Sequence, residues 1–92
     1  MVQAQNLIAD IDAEIAANKI MVYSKSWCGF CSSTKQLLQS KGFTFEVKEL
    51  DLIENGDAIQ NALKTKTGQR TVPNVFVNGE HIGGNSELQA AN

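Results

Sequence analysis

The sequence predicts an α/β fold, a mixed four-stranded sheet flanked by helices. Three observations carry this. A short apolar run at 20–23 is followed by a helical stretch and then by an alternating segment. That strand–helix–strand order implies two parallel strands joined by a right-handed crossover. Two further apolar segments are separated only by Asn78-Gly79, the strongest two-residue signal for an antiparallel hairpin. Elsewhere the apolar residues recur at helical spacing. A chain of 92 residues is expected to form one domain, 1–92, with little room for a second.

The elements follow in order. Residues 3–17 are expected to be helical, because Leu7, Ile8, Ile11 and Ile15 fall on one face. "KIMVYS" is β-branched and aromatic and too short for a core helix, so it reads as a buried strand. "CSSTKQLLQSK" suits a helix ended by Gly42 in the position after the cap. "FTFEVKEL" alternates, which predicts a half-buried strand with Phe43, Phe45 and Val47 on one side. A turn is expected at Asn55-Gly56. Asp57 is the expected cap of a helix that places Ile59, Ala62, Leu63 and Lys66 on one face and stops at Gly68. The hairpin around Asn78-Gly79 follows, and "SELQAAN" begins a last helix with Ser86 as its expected cap.

Composition removes several function classes. The apolar share of 42% and charged share of 20% describe an ordinary globular chain rather than a disordered one. A formal charge of −2 with no basic cluster gives no sign of nucleic-acid binding. No run approaches the roughly 18 apolar residues a membrane span needs. The first residues fit neither a secretory signal nor an Arg-rich transit peptide, so a cytoplasmic location is expected, or an organelle if a leader has been removed. Two cysteines are too few for a disulfide scaffold.

Those cysteines, Cys28 and Cys31, lie in "KSWCGFCSS", at the end of the first strand and the start of the next helix, the edge where open α/β sheets bind ligands. A structural zinc site needs four ligands, and two Cys with one distant His, His81, do not supply them. Attached haem needs His after the second Cys, where Ser32 stands. A structural clip across so small a loop would remove little unfolded-state entropy. A redox pair beside a strand–helix–strand unit is the expected chemistry. The thiolate is the reactive form, and unpaired N–H groups at a helix start favour negative sulfur. The helix end alone supplies only about 0.3–1 kcal/mol, up to ~2 in good geometry. Direct hydrogen bonds to sulfur, from N–H groups near Phe30 and Cys31 or from the Cys31 thiol, are therefore expected as well. Cys31, one turn into the helix, should be the less exposed. Cys28 is then the attacking thiolate and Cys31 the resolving thiol.

Four stretches, "KSWCGFC" followed by "TKQLL", then "TGQRTVPNVFVNGEHIGG" and "SEL", resemble the glutaredoxins from about residue 20 to residue 88. The resemblance implies a thioredoxin-like fold, a cis peptide bond at Pro73, and glutathione as reductant and partner. It implies an enzyme that reduces glutathionylated or disulfide-bonded proteins. It also implies a glutathione groove in which Lys25 and Gln60 hold the glycine carboxylate and Phe30 forms a wall. Thr71 and Val72 would present the loop before Pro73. Gly84, Asn85 and Ser86 would receive the γ-glutamyl end, in keeping with the affinity of helix starts for carboxylates. Arg70 is a further candidate charge.

"CGFC" departs from the Cys-Pro-Tyr-Cys common in the family, and Gly29-Phe30 is similar to the branch with one active-site cysteine. In the family a residue other than proline at this place is associated with a [2Fe–2S] cluster shared between two protomers. Two Cys28 thiolates and two glutathione thiolates would meet its four-sulfur demand. The reductase reading requires no metal and a monomer; the cluster reading makes Cys28 a ligand in a homodimer. A third alternative, a thioredoxin-type reductase, is suggested by "WCGFC", which differs from that motif only at Phe30.

Overall fold

The computed structural model describes residues 4–91, with side chains from Leu7 onward. Helix α1 spans Ala4–Ala17 and turns Leu7, Ile11 and Ile15 inward at the i, i+4, i+8 spacing. Gln3, the first residue expected in this helix, lies outside the described residues. Strand β1 (Ile20–Ser24) leads through a turn into α2 (Gly29–Ser40), then β2 (Glu46–Glu49) and a 3-10 turn at Leu50–Leu52. Helix α3 (Gly56–Thr67) precedes the hairpin of β3 (Asn74–Val77) and β4 (Glu80–Gly83), and α4 is Asn85–Ala91. The sheet order is β2-β1-β3-β4, with β1 parallel to β2 and antiparallel to β3, and β3 antiparallel to β4. The expected mixed four-stranded sheet is the one that forms.

Alternation along central β1 divides the core in two. Ile20 and Val22 face Leu38 of α2, Val75 and Leu88 of α4. Met21 and Tyr23 face the other way, into Leu7, Ile11 and Ile15 of α1, Ile59, Ala62 and Leu63 of α3, and Leu50 and Phe76. Each such aliphatic side chain contributes roughly 1.5–3 kcal/mol on burial. Tyr23 is fully buried, and its hydroxyl donates to Glu14 Oε1 at 2.6 Å. Burial, then that carboxylate, push the phenol above its ordinary range. Glu14 also meets Lys48 at 2.8 Å. Lys66, exposed near the end of α3, reaches across to Asp12 of α1. Among the described residues no helix is long and apolar enough to cross a membrane.

The turn chemistry follows the sequence at two places. Gly42 follows the cap of α2 at φ 76°, with its N–H on Gln39 O and the Phe43 N–H on Leu38 O, a paired closure of the last turn. Asn78 (φ 52°) and Gly79 (φ 82°) are both left-handed, as a tight two-residue hairpin turn requires.

Three local expectations are corrected. The strand expected from Phe43 begins at Glu46, and Phe43 is half exposed. Its N–H is spent closing α2, and the ladder with β1 starts only at Met21–Glu46; Phe45 and Val47 do pack on the core. The turn expected at Asn55-Gly56 forms over Glu54-Asn55 and is closed by the Gly56 N–H on Ile53 O at 3.3 Å; Gly56 is also the first residue of α3, and the residue preceding the helix is Asn55 rather than Asp57. Gly56 is buried against the Leu50 carbonyl, which sets where α3 starts. Helix α2 starts at Gly29, with Cys28 just before it and Cys31 one turn inside, as expected. Ser86 does not cap α4. The helix begins one residue earlier, and the Glu87 carboxylate reaches back to the Gly84 N–H at 2.7 Å, one arm of a capping box.

Candidate active site

The site is built at the end of β1. After Ser24 the chain turns, with the Cys28 N–H on Lys25 O at 3.1 Å. Cys28 then takes the extended conformation of a helix cap (φ −86°, ψ 122°). Its sulfur occupies the place of the oxygen in an ordinary Ser or Asp cap and accepts the Cys31 N–H at 3.4 Å. The expected backbone hydrogen bond to sulfur is therefore present. The Cys28 thiol lies 3.9 Å from Val72 O, within reach to donate. Cys31 sits one turn into α2, and both thiols are free.

The two thiols differ in environment. Cys28 is half-buried and Cys31 fully buried. Burial, and next the hydrogen bond with Cys28, push the Cys31 thiol up to about 11, against hydrogen bonds from the Lys25 backbone and the Ser24 hydroxyl. One sulfur is presented at a helix start, and the other is held back in its protonated form.

The Val72–Pro73 bond is cis. Side-chain amides lace the loop around it. Gln69 Nε2 donates to Thr71 O at 3.0 Å and to Pro73 O at 2.9 Å, and Gln60 Nε2 donates to Arg70 O at 2.7 Å. Two depressions flank this loop. A polar one of about 380 Å³ is lined by Lys25, Asp57, Gln60, Asn61 and Arg70. The other, about 320 Å³, is lined by Phe30, Thr71, Val72, Pro73, Gly84, Asn85, Ser86 and Glu87. The consecutive residues Arg70 and Thr71 divide them. Every binding residue expected from the sequence lies in one or the other. The Lys25 ammonium stands 5.6 Å from the centre of the exposed Trp27 ring, a cation–π distance. Phe30 is 69% exposed, so its ring is free to wall a ligand.

Several further residues shape the site. Gln69 has no expected role, yet its amide holds the carbonyls on both sides of the cis bond. Buried Thr34 donates to Asn85 Oδ1 at 3.0 Å and so ties the start of α4 to α2. Glu87, the middle residue of "SEL", holds the Gly84 N–H. Asp51 accepts the Ser26 N–H at 2.9 Å and also the Ser26 hydroxyl, across 25 residues of sequence. The hydroxyl first, then the N–H, hold the Asp51 carboxyl below its usual range. The capping-box spacing from Gly84 to Glu87 is legible in sequence; the pairing of Ser26 with Asp51 is not. Among the described residues no three His, Cys, Asp or Glu side chains cluster as a metal site would need.

A family profile described as Glutaredoxin matches residues 20–82. A glutaredoxin of Vernicia fordii is 49% identical over 84 residues, covering 91% of this chain and 74% of that protein. Among solved structures, a buckwheat glutaredoxin–glutathione complex superposes with a TM-score of 0.92 at 41% identity, covering 95% of this chain and 79% of that one. A wheat glutaredoxin superposes with a TM-score of 0.94 at 43% identity, covering 99% and 86%.

Proposed function

The chain belongs to the glutaredoxin family of glutathione-dependent oxidoreductases, and from that premise we propose that Cys28 carries the reduction of glutathione–protein mixed disulfides. The observation that supports this most is the asymmetry of the two thiols. Cys28 is accessible and receives a helix N–H on sulfur, whereas Cys31 is buried and protonated. The Cys28 thiolate attacks the glutathione sulfur of the substrate. The substrate S–S bond breaks, and the protein leaves as a thiolate that takes a proton from water. A second glutathione thiolate then attacks the Cys28–glutathione disulfide, giving oxidised glutathione and restoring Cys28. With a protein disulfide, Cys31 loses its proton and attacks the mixed disulfide on Cys28. An intramolecular Cys28–Cys31 disulfide forms, the substrate leaves as its dithiol with the proton from Cys31, and two glutathione molecules, oxidised to their disulfide, restore both cysteines.

In this reading Lys25 and Gln60, with Arg70 beside them, hold the glycine carboxylate in the polar depression. Phe30 walls the second depression, and Val72 pairs through its backbone with the cysteinyl unit. Glu87 already holds the Gly84 N–H, so the γ-glutamyl carboxylate is received mainly by Asn85 and Ser86. NADPH consumption with a disulfide substrate separates this reading from a thioredoxin-type one. Glutathione with glutathione reductase should sustain turnover, and a thioredoxin reductase should not. The reverse outcome would assign the chain to the other electron source.

We also infer a second use of the same sulfur. A Cβ placed on Gly29 would meet nothing within 4 Å, so open space adjoins Cys28. One copy offers one accessible thiolate, so a [2Fe–2S] centre fits only between two copies, held by both Cys28 residues and two glutathione thiolates. Bound there, it would supply one-electron chemistry or a transferable cluster. Anaerobic reconstitution with iron, sulfide and glutathione should give a coloured dimer that Cys28→Ser cannot form. A colourless monomer would refute this use.

A further inference from the structure

Ser26 lies in the middle of the turn from Lys25 to Cys28, and both of its hydrogen-bond donors go to one carboxylate. Its N–H meets Asp51 Oδ1 at 2.9 Å, and its hydroxyl meets Oδ2. The turn closes through the Cys28 N–H on Lys25 O, and the next bonds, Cys31 N–H to the Cys28 sulfur and Ser32 N–H to Cys28 O, begin α2. Asp51 belongs to another element, the 3-10 turn after β2. That turn is anchored by buried Leu50, whose carbonyl packs on Gly56. A two-point grip from an anchored element fixes both position and orientation, as a single hydrogen bond would not.

We propose that Asp51 is a positioning residue for Cys28: its grip on Ser26 fixes the turn that sets the sulfur at the start of α2. Asp51 lines neither depression, and its hydrogen bonds go to Ser26 rather than to sulfur. It acts through the turn, and displacement of a reacting atom by about 1 Å is enough to cost a large factor in rate. The proposal rests on Cys28 being the nucleophile, and its test must distinguish failure of either idea.

Asp51→Ala removes both acceptors, Asp51→Asn keeps one oxygen, and Ser26→Ala keeps only the N–H bond. In Asp51→Ala, the rate of Cys28 alkylation by iodoacetamide and kcat with a glutathione mixed disulfide should both fall about five- to tenfold. KM should rise less than kcat falls, within about threefold, because Lys25 shares the loosened turn but no lining residue is removed. Ser26→Ala and Asp51→Asn should lose about two- to threefold. Combining Ser26→Ala with Asp51→Ala should cost no more than Asp51→Ala alone, because the pair acts as one unit. Trp27 is the only tryptophan and sits in the same turn, so its fluorescence anisotropy reads the turn directly. Asp51→Ala should lower it at unchanged melting temperature. Wild-type alkylation rates, additive losses, or a rate loss that merely tracks a fall in melting temperature would each overturn the proposal. Normal turnover by Cys28→Ser would instead overturn the assignment of the nucleophile.

Discussion

Cys28→Ser should abolish reduction of a glutathione mixed disulfide, by a factor on the order of a thousand or more, while Cys31→Ser keeps much of it. The asymmetry follows from the geometry. Cys28 is the accessible sulfur and the cap of α2, with the Cys31 N–H directed at it. Serine in its place would cap the helix well, so the protein should fold, but its hydroxyl remains protonated and is a weak nucleophile at neutral pH. Cys31 is fully buried and held protonated, so it is expected to serve only when an intramolecular disulfide must form. Reduction of a protein disulfide should therefore suffer in Cys31→Ser far more than deglutathionylation does. Steady-state assays of both variants with both substrates check this. Equal losses for the two substrates in Cys31→Ser would contradict the division of labour.

Gly56→Ala should destabilise the protein by roughly 3 kcal/mol, the cost of overpacking a site with no room to yield. In an open helix the same change stabilises by about 1 kcal/mol, so the expected sign is itself diagnostic. The ideal Cβ would lie 1.7 Å from the Leu50 carbonyl oxygen, and that is backbone, not the end of a flexible side chain. In a chain of this size the melting temperature should drop by roughly 12 °C or more. The consequence would reach the site, because Leu50 precedes Asp51 in the turn that grips Ser26. An unchanged or higher melting temperature would mean that α3 and the Leu50–Leu52 turn are not packed as described.

Much of this molecule is legible where local chemistry decides. Asn78-Gly79 makes its hairpin because its two residues tolerate left-handed backbone. Gly42 closes α2 for the same reason. The Cys28–Cys31 spacing places one thiol at a helix cap and the other a turn inside, which already predicts unequal exposure. The binding residues drawn from the resemblance all fall on the two depressions beside the cis-Pro73 loop. Where tertiary contacts choose between local options, the reading slips. Asp57 and Ser86 are both good caps in isolation. Packing of Gly56 on Leu50 O starts α3 before Asp57, and the Glu87 carboxylate on the Gly84 N–H starts α4 before Ser86. Phe43 alternates like a strand residue, yet its N–H is used to end the preceding helix. Gln69 and Asp51 are beyond sequence reasoning for a further reason. Each acts by hydrogen-bonding backbone that only the fold brings near, and any polar residue looks the same in the sequence.

Cys28 should form the covalent intermediate with glutathione. Mass spectrometry of the Cys31→Ser protein after exposure to oxidised glutathione tests it most directly, because no second thiol remains to release the adduct. The protein should gain a single glutathionyl group, located on the peptide that carries Cys28 and removed by added glutathione. A protein that stays unmodified under these conditions, with Cys28 still free, would contradict the account.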